Sequence, residues 1–191
     1  MSRIMLVSKI LNYIQTKVIY ARKFDHIGTK TIIFRPLKLV ETDSIFIGDK
    51  VTIAHYSWLM GNKEMGERTL SIGDRVSIGH FAHIIAKYNI VIEDNVLIAD
   101  KVYITDCNHS YEDIGQPIID QGIYNAGEVR IGEGSWLGEN VCVIGAKIGK
   151  HCTIGANAVV TKDIPDYSVA VGIPARVIKK YNVNAGMWEV V

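Results

Sequence analysis

At 191 residues the chain is of a size for one domain, and its 48% hydrophobic content suffices for a continuous core. Its 21 basic and 20 acidic residues leave a formal charge of +1, which gives no footing for a nucleic-acid binder. Cys107, Cys142 and Cys152 form no CxxC pair and are odd in number, so no disulfide framework is expected and a reducing cytoplasm fits.

Residues 1–26 read as an N-terminal amphipathic helical segment. Met5, Leu6, Ile10, Tyr13, Ile14 and Val18 recur at helical spacing, and Arg3, Lys9, Lys17, Arg22 and Lys23 precede the first acid, Asp25. The uncharged run Ile10 to Thr16 falls far short of the roughly 20 residues that span a bilayer, and no small-residue cleavage signal follows an apolar core. Two roles stay open: a cap over the end of the domain that follows, or a basic anchor giving peripheral association with the inner face of the membrane.

From Ile27 to Val160 the chain carries eighteen aliphatic residues at six-residue steps in six groups of three. The groups are Ile27, Ile33, Leu39; Ile47, Ile53, Leu59; Ile72, Ile78, Ile84; Ile92, Ile98, Ile104; Ile131, Leu137, Val143; and Ile148, Ile154, Val160. A period of six suits neither a helix nor a long alternating strand; it suits a solenoid of short strands and tight corners whose rungs share an interior line. Small or β-branched residues four places on, such as Val51, Ser57, Val76, Ala82 and Cys152, supply a second inward residue per step, with Cys152 read as core filler. Gly or Ala follows ten of the twelve first and second rungs and none of the third.

The coil starts lie 20, 25, 20, 39 and 17 residues apart, against 18 for three unbroken hexapeptides. Excess residues must leave the prism as loops, around Gly61 to Arg68 and, at greater length, within Asp106 to Glu128. The longer loop opens on Asn108-His109. His109 takes the last place of its hexapeptide, at a corner facing outward, and Asn89 holds that place one coil earlier. An imidazole there suits a general base, because its reference pKa of about 6.5 lets it take a proton from an attacking hydroxyl at neutral pH. Asp106, Glu112, Asp113 or a backbone carbonyl are the alternatives for orienting it.

The ladder, together with Asn108-His109, Pro117 to Gly122 (PIIDQG), Gly134 to Asn140 (GSWLGEN) and Val159 to Lys179 (VVTKDIPDYSVAVGIPARVIK), resembles the hexapeptide-repeat acyltransferases, closest to lipopolysaccharide and capsule sugar O-acetyltransferases. Galactoside, maltose and xenobiotic acetyltransferases are further relatives. The resemblance covers about Ile27 to Lys180. It implies an all-β left-handed parallel β-helix of about six coils over residues 27–165, with the loop 106–128 protruding and a C-terminal extension, 166–191, contributing to CoA binding. The left hand is implied by the resemblance alone, since parallel crossovers are ordinarily right-handed. A homotrimer with active sites between subunits is implied likewise.

By that resemblance the activity is transfer of acetyl from acetyl-CoA to a sugar hydroxyl in cell-surface polysaccharide synthesis, with no metal. His109, in the pair Asn108-His109, is then the catalytic base, and acetyl passes directly to the acceptor without a Cys107 intermediate; Asp106 joins the catalytic candidates on its position alone, as the nearest preceding acid. Trp136 and Gly138 would line the pantetheine path, Ala156 and Thr161 would offer backbone groups, and Lys162, Arg176 and Lys179 would face the nucleotide phosphates. Asn89, His83 and Tyr111 are the candidates for touching the saccharide acceptor. Two departures from the family pattern stand out: the coil from Ile131 to Ile148 is one residue short, and Glu139 adds negative charge where some relatives have a small polar residue. His26, His55, His80 and His151 read as entry or corner residues, and the spacing of His80 and His83 does not suit the paired zinc ligands of a γ-class carbonic anhydrase. The alternatives are an acetyltransferase for a xenobiotic or free saccharide, and a noncatalytic trimeric scaffold.

Overall fold

In the computed structural model every rung pairs in parallel with the rung one coil below. On the first face the register runs Ile27, Ile47, Ile72, Ile92, Ile131, Ile148. The second face runs Ile33, Ile53, Ile78, Ile98, Leu137, Ile154, and the third Leu39, Leu59, Ile84, Ile104, Val143, Val160. The structure describes residues 3–66 and 68–191, with no side chain described for residues 3–6, so Met5 and Leu6 of the predicted apolar pattern lie outside the described side chains. All the rungs are buried except Leu39, which is partly covered, and Val51, Ser57, Val76, Ala82, Val96, Val102, Ser135, Val141, Cys152 and Ala158 fill the axis between them. The result is a three-sided parallel β-helix.

Close approach between coils explains the small residue after ten of the twelve first and second rungs. A Cβ on Gly48 would lie 2.8 Å from the carbonyl carbon of Gly73 in the next coil, and one on Gly138 would lie 2.7 Å from the Ala156 amide nitrogen. Both corners then turn through a left-handed residue three places after the rung, as at Lys50, Arg75 and Asn95 on one edge and Tyr56, Phe81 and Lys101 on the other. Carboxylates tie the coils together at the first of these edges, where the Asp49 and Asp74 N–H groups donate to Asp74 and Asp94 at 2.8 Å each. The third corner lacks this construction, and every insertion leaves there.

The ladder does not stop at Val160. Ile164 bridges to Ile148 and Ala170 pairs with Ile154, so a partial seventh coil follows the expected six and runs across the boundary expected at 165. Strand Ser168–Val171 joins the second face in parallel, and Arg176–Asn182 and Met187–Val190 then extend it by antiparallel pairing. At the opposite end, helix α1 (Arg3–Gln15) and a π-helical turn (Thr16–Tyr20) cover the first coil. The Ile33 N–H donates to Thr16 Oγ1 at 3.0 Å and Lys17 Nζ donates to the Ile27 carbonyl at 3.2 Å, so the capping role belongs to this segment.

Candidate functional site

Five of the six third-face strands have three residues, with the rung pointing inward and its two neighbours outward. Two outward columns result in adjacent coils: Trp58, His83, Tyr103 and Met60, Ile85, Thr105. Beyond Thr105 the chain leaves the prism, and Cys107–His109 pairs antiparallel with Ile123–Asn125 to raise a hairpin beside that face. Between them lies a cavity of about 280 Å³ lined by Trp58, Met60, His83, Ile85, Lys87, Tyr103, Cys107, Asn108, His109 and Ile123. Its walls are largely apolar and aromatic, and His83, Lys87, Asn108 and His109 supply the polar groups. The Trp58 and His83 rings meet edge to face with centroids 5.4 Å apart.

His109 is exposed on the hairpin, and its backbone N–H donates to Asn108 Oδ1 at 3.0 Å. Asp106 has a different task from the orienting role considered for it. Fully buried, its carboxylate accepts the backbone N–H groups of Lys87 at 2.9 Å, Tyr88 at 2.8 Å and Asn89 at 2.7 Å. It thereby holds the third corner of the coil below, which is two residues overlong and cannot complete a regular turn. Burial lifts the Asp106 carboxyl above the ordinary carboxylate range, while the three N–H donors pull the other way. Asp113 is likewise occupied with the loop tip, accepting from the Gly115 N–H and from Gln116 Nε2 at 2.8 Å each. Among the described residues no carboxylate lies within hydrogen-bonding reach of the His109 ring.

The other acceptor candidates separate. His83 shares the cavity with His109, whereas Asn89 is held at the corner through its backbone and Tyr111 projects from the loop; neither lines the cavity. Burial raises the Cys107 thiol above its usual range, so little thiolate is present at neutral pH for a covalent route. Trp58, Met60, Lys87, Tyr103 and Ile123 line the site and were not singled out from the sequence. Four of them could have been reached by taking the residues beside each third-face rung and the overlong corner below the loop.

None of the residues expected to contact CoA lines this cavity. Trp136, Thr153, Val169 and Lys179 follow one another in register up the second face, which puts Lys179 three strand spacings, roughly 14 Å, from Trp136. Gly138 and Ala156 lie at the second corner, and Thr161 and Lys162 follow the third-face strand Val159–Val160. Arg176 opens the tail strand, its Nη1 donating to the Ala175 carbonyl at 2.9 Å. One chain therefore spreads these residues over a face and two corners and presents the His109 cavity elsewhere.

Comparison with known proteins adds to this picture. A model of the hexapeptide repeat of succinyl-transferase matches residues 128–162. A protein of Mycobacterium tuberculosis named as an acetyltransferase is 42% identical over 146 residues, covering 76% of this chain and 44% of the relative. An Escherichia coli protein named as a lipopolysaccharide biosynthesis O-acetyl transferase is 37% identical over 131 residues, covering 65% of this chain and 67% of the relative. The chain thus aligns with less than half of the mycobacterial relative. Among solved structures, AntD, an N-acyltransferase from Bacillus cereus in complex with dTDP and 3-hydroxybutyryl-CoA, superposes with a TM-score of 0.75 at 16% identity, over 91% of this chain and 92% of that one. That likeness is one of fold, the left-handed parallel β-helix.

Proposed function

Because the chain belongs to the hexapeptide-repeat acetyltransferase family, we propose that it transfers acetyl from acetyl-CoA to a hydroxyl of a saccharide in cell-surface polysaccharide synthesis. The observation that carries this reading is the cavity of about 280 Å³ in which His109 and His83 meet the aromatic walls Trp58 and Tyr103. Aromatic faces suit the C–H faces of a sugar ring, and a small number of polar groups at the rim fixes its orientation. The naming of the E. coli relative for lipopolysaccharide biosynthesis supports the choice of acceptor class.

In the proposed reaction His109 accepts the proton of the acceptor hydroxyl as its oxygen attacks the thioester carbon. The tetrahedral oxyanion collapses, the C–S bond breaks, and the CoA thiolate takes the proton back from His109. Direct transfer is supported by the raised Cys107 thiol, the nearest alternative nucleophile. Trp136, Gly138, Ala156, Thr161, Lys162, Arg176 and Lys179 are proposed to hold the cofactor. Their separation from the His109 cavity within one chain supports a homotrimer in which each site is completed by a neighbouring protomer.

The test is an acceptor panel in which thiol release from acetyl-CoA is followed. Release that rises severalfold on adding a saccharide and gives an alkali-labile acetyl ester is expected. Release that no saccharide stimulates, or an acetyl group found on an amine, would remove the proposed acceptor.

A further inference from the structure

Helix α1 and the π-helical turn that continues it meet the solenoid with their polar side. Asn12 and Thr16 are 5% and 0% exposed, whereas Val7, Ile10, Leu11, Ile14 and Val18 are 49–60% exposed. The first coil explains the inversion: at its open end this side of the segment meets backbone N–H and C=O groups. Thr16 Oγ1 answers the Ile33 N–H and donates to the Asn12 carbonyl at 2.7 Å, and Lys17 Nζ donates to the carbonyls of Ile27 and Gly28. Spaced at helical intervals, the five apolar residues form one stripe on the side away from the solenoid, and an exposed stripe of this kind marks an interaction site.

Charge selects the occupant. Five of the chain's 21 basic residues and none of its 20 acidic residues lie among the first 24 positions, and Lys9, Arg22 and Lys23 are exposed. Pairing this stripe with that of a second copy would bring two uniformly basic segments together. An anionic lipid surface receives both the apolar stripe and the cations. At 13 residues the helix is also too short to cross a membrane. We infer that α1 lies in the plane of an anionic bilayer surface, its apolar stripe inserted at the headgroup level, while its polar side caps the β-helix. One segment then serves both roles.

The experiment is cosedimentation of the full chain with vesicles of phosphatidylcholine and phosphatidylglycerol in a two-to-one ratio, against phosphatidylcholine alone, at low and high salt. Partitioning is expected to be at least about tenfold stronger into the anionic vesicles and to weaken with salt. The double variant Leu11→Glu/Ile14→Glu should lose at least about tenfold in partitioning, since each of these side chains contributes apolar insertion, with melting temperature and CoA binding unchanged. Leu11→Gln/Ile14→Gln, which adds no charge, should weaken binding in the same direction and serves if the first variant does not fold. Equal binding to both vesicle types, or unchanged binding by a folded variant, would overturn the inference. So would a change in oligomeric state by light scattering, which would make the stripe a contact between protomers.

Discussion

Replacing Asp106 by Asn separates a structural carboxylate from a catalytic one. Three backbone N–H groups, of Lys87, Tyr88 and Asn89, converge on its two oxygens. Asparagine keeps one acceptor oxygen and puts an NH₂ donor in place of the other, so at least one N–H loses its acceptor and faces a donor. An orphaned N–H costs about 1–3 kcal/mol, and bonds to an ionised acceptor lie towards the upper end. Relief of the charge's desolvation, evident in the raised carboxyl, offsets part of this and leaves about 2 kcal/mol. For a chain of this size that lowers the melting temperature by about 4–8 °C. Differential scanning fluorimetry gives the shift, and the pH profile of kcat well below the transition should keep its midpoint. An unchanged melting temperature together with a hundredfold loss of kcat would refute the argument and return Asp106 to the task of orienting His109.

Gly48→Ala tests the coil spacing. A Cβ placed 2.8 Å from the Gly73 carbonyl carbon meets backbone that cannot yield, so a loss of about 2–3 kcal/mol in stability is expected from denaturant titration, without a change in CoA affinity. A second test concerns acid. Burial first, and then the neighbouring His80 and Arg35, hold His55 below its ordinary 6.5, with the two imidazoles stacked at 5.6 Å. Between 6.5 and the lower folded value the unfolded chain therefore binds a proton that the folded chain does not, so stability falls as pH drops through that window. His55→Gln should flatten this part of a melting-temperature profile measured downward from neutral pH; an unaltered slope would place the proton uptake elsewhere.

The column was legible because its cause is local. Burial of a rung every sixth residue and close approach after ten of the twelve first and second rungs leave marks at those positions, and the register from Ile27 to Ile148 follows them. The hairpin at Cys107–His109 was legible only as an excess of residues; its antiparallel partner Ile123–Asn125 depends on how the loop folds back, which no period records. Asp106 misled for a related reason. Its neighbour in sequence is the His109 segment, while its partners come from the corner one coil below, 17 to 19 residues earlier. Trp58 and Tyr103 stand in the positions beside their rungs, where the pattern defines the face but not its use. The inverted helix escaped because amphipathic periodicity marks two sides of a helix without saying which one meets protein.

His109 carries the central claim, and its replacement by Ala tests that claim most directly when turnover and CoA affinity are measured on the same preparation. Removing a general base should lower kcat by about 100-fold or more, while the CoA dissociation constant stays within about threefold, since none of the proposed cofactor residues lines the cavity. Turnover close to that of the unmodified chain would contradict the account, as would a loss of CoA binding large enough to explain the fall in rate.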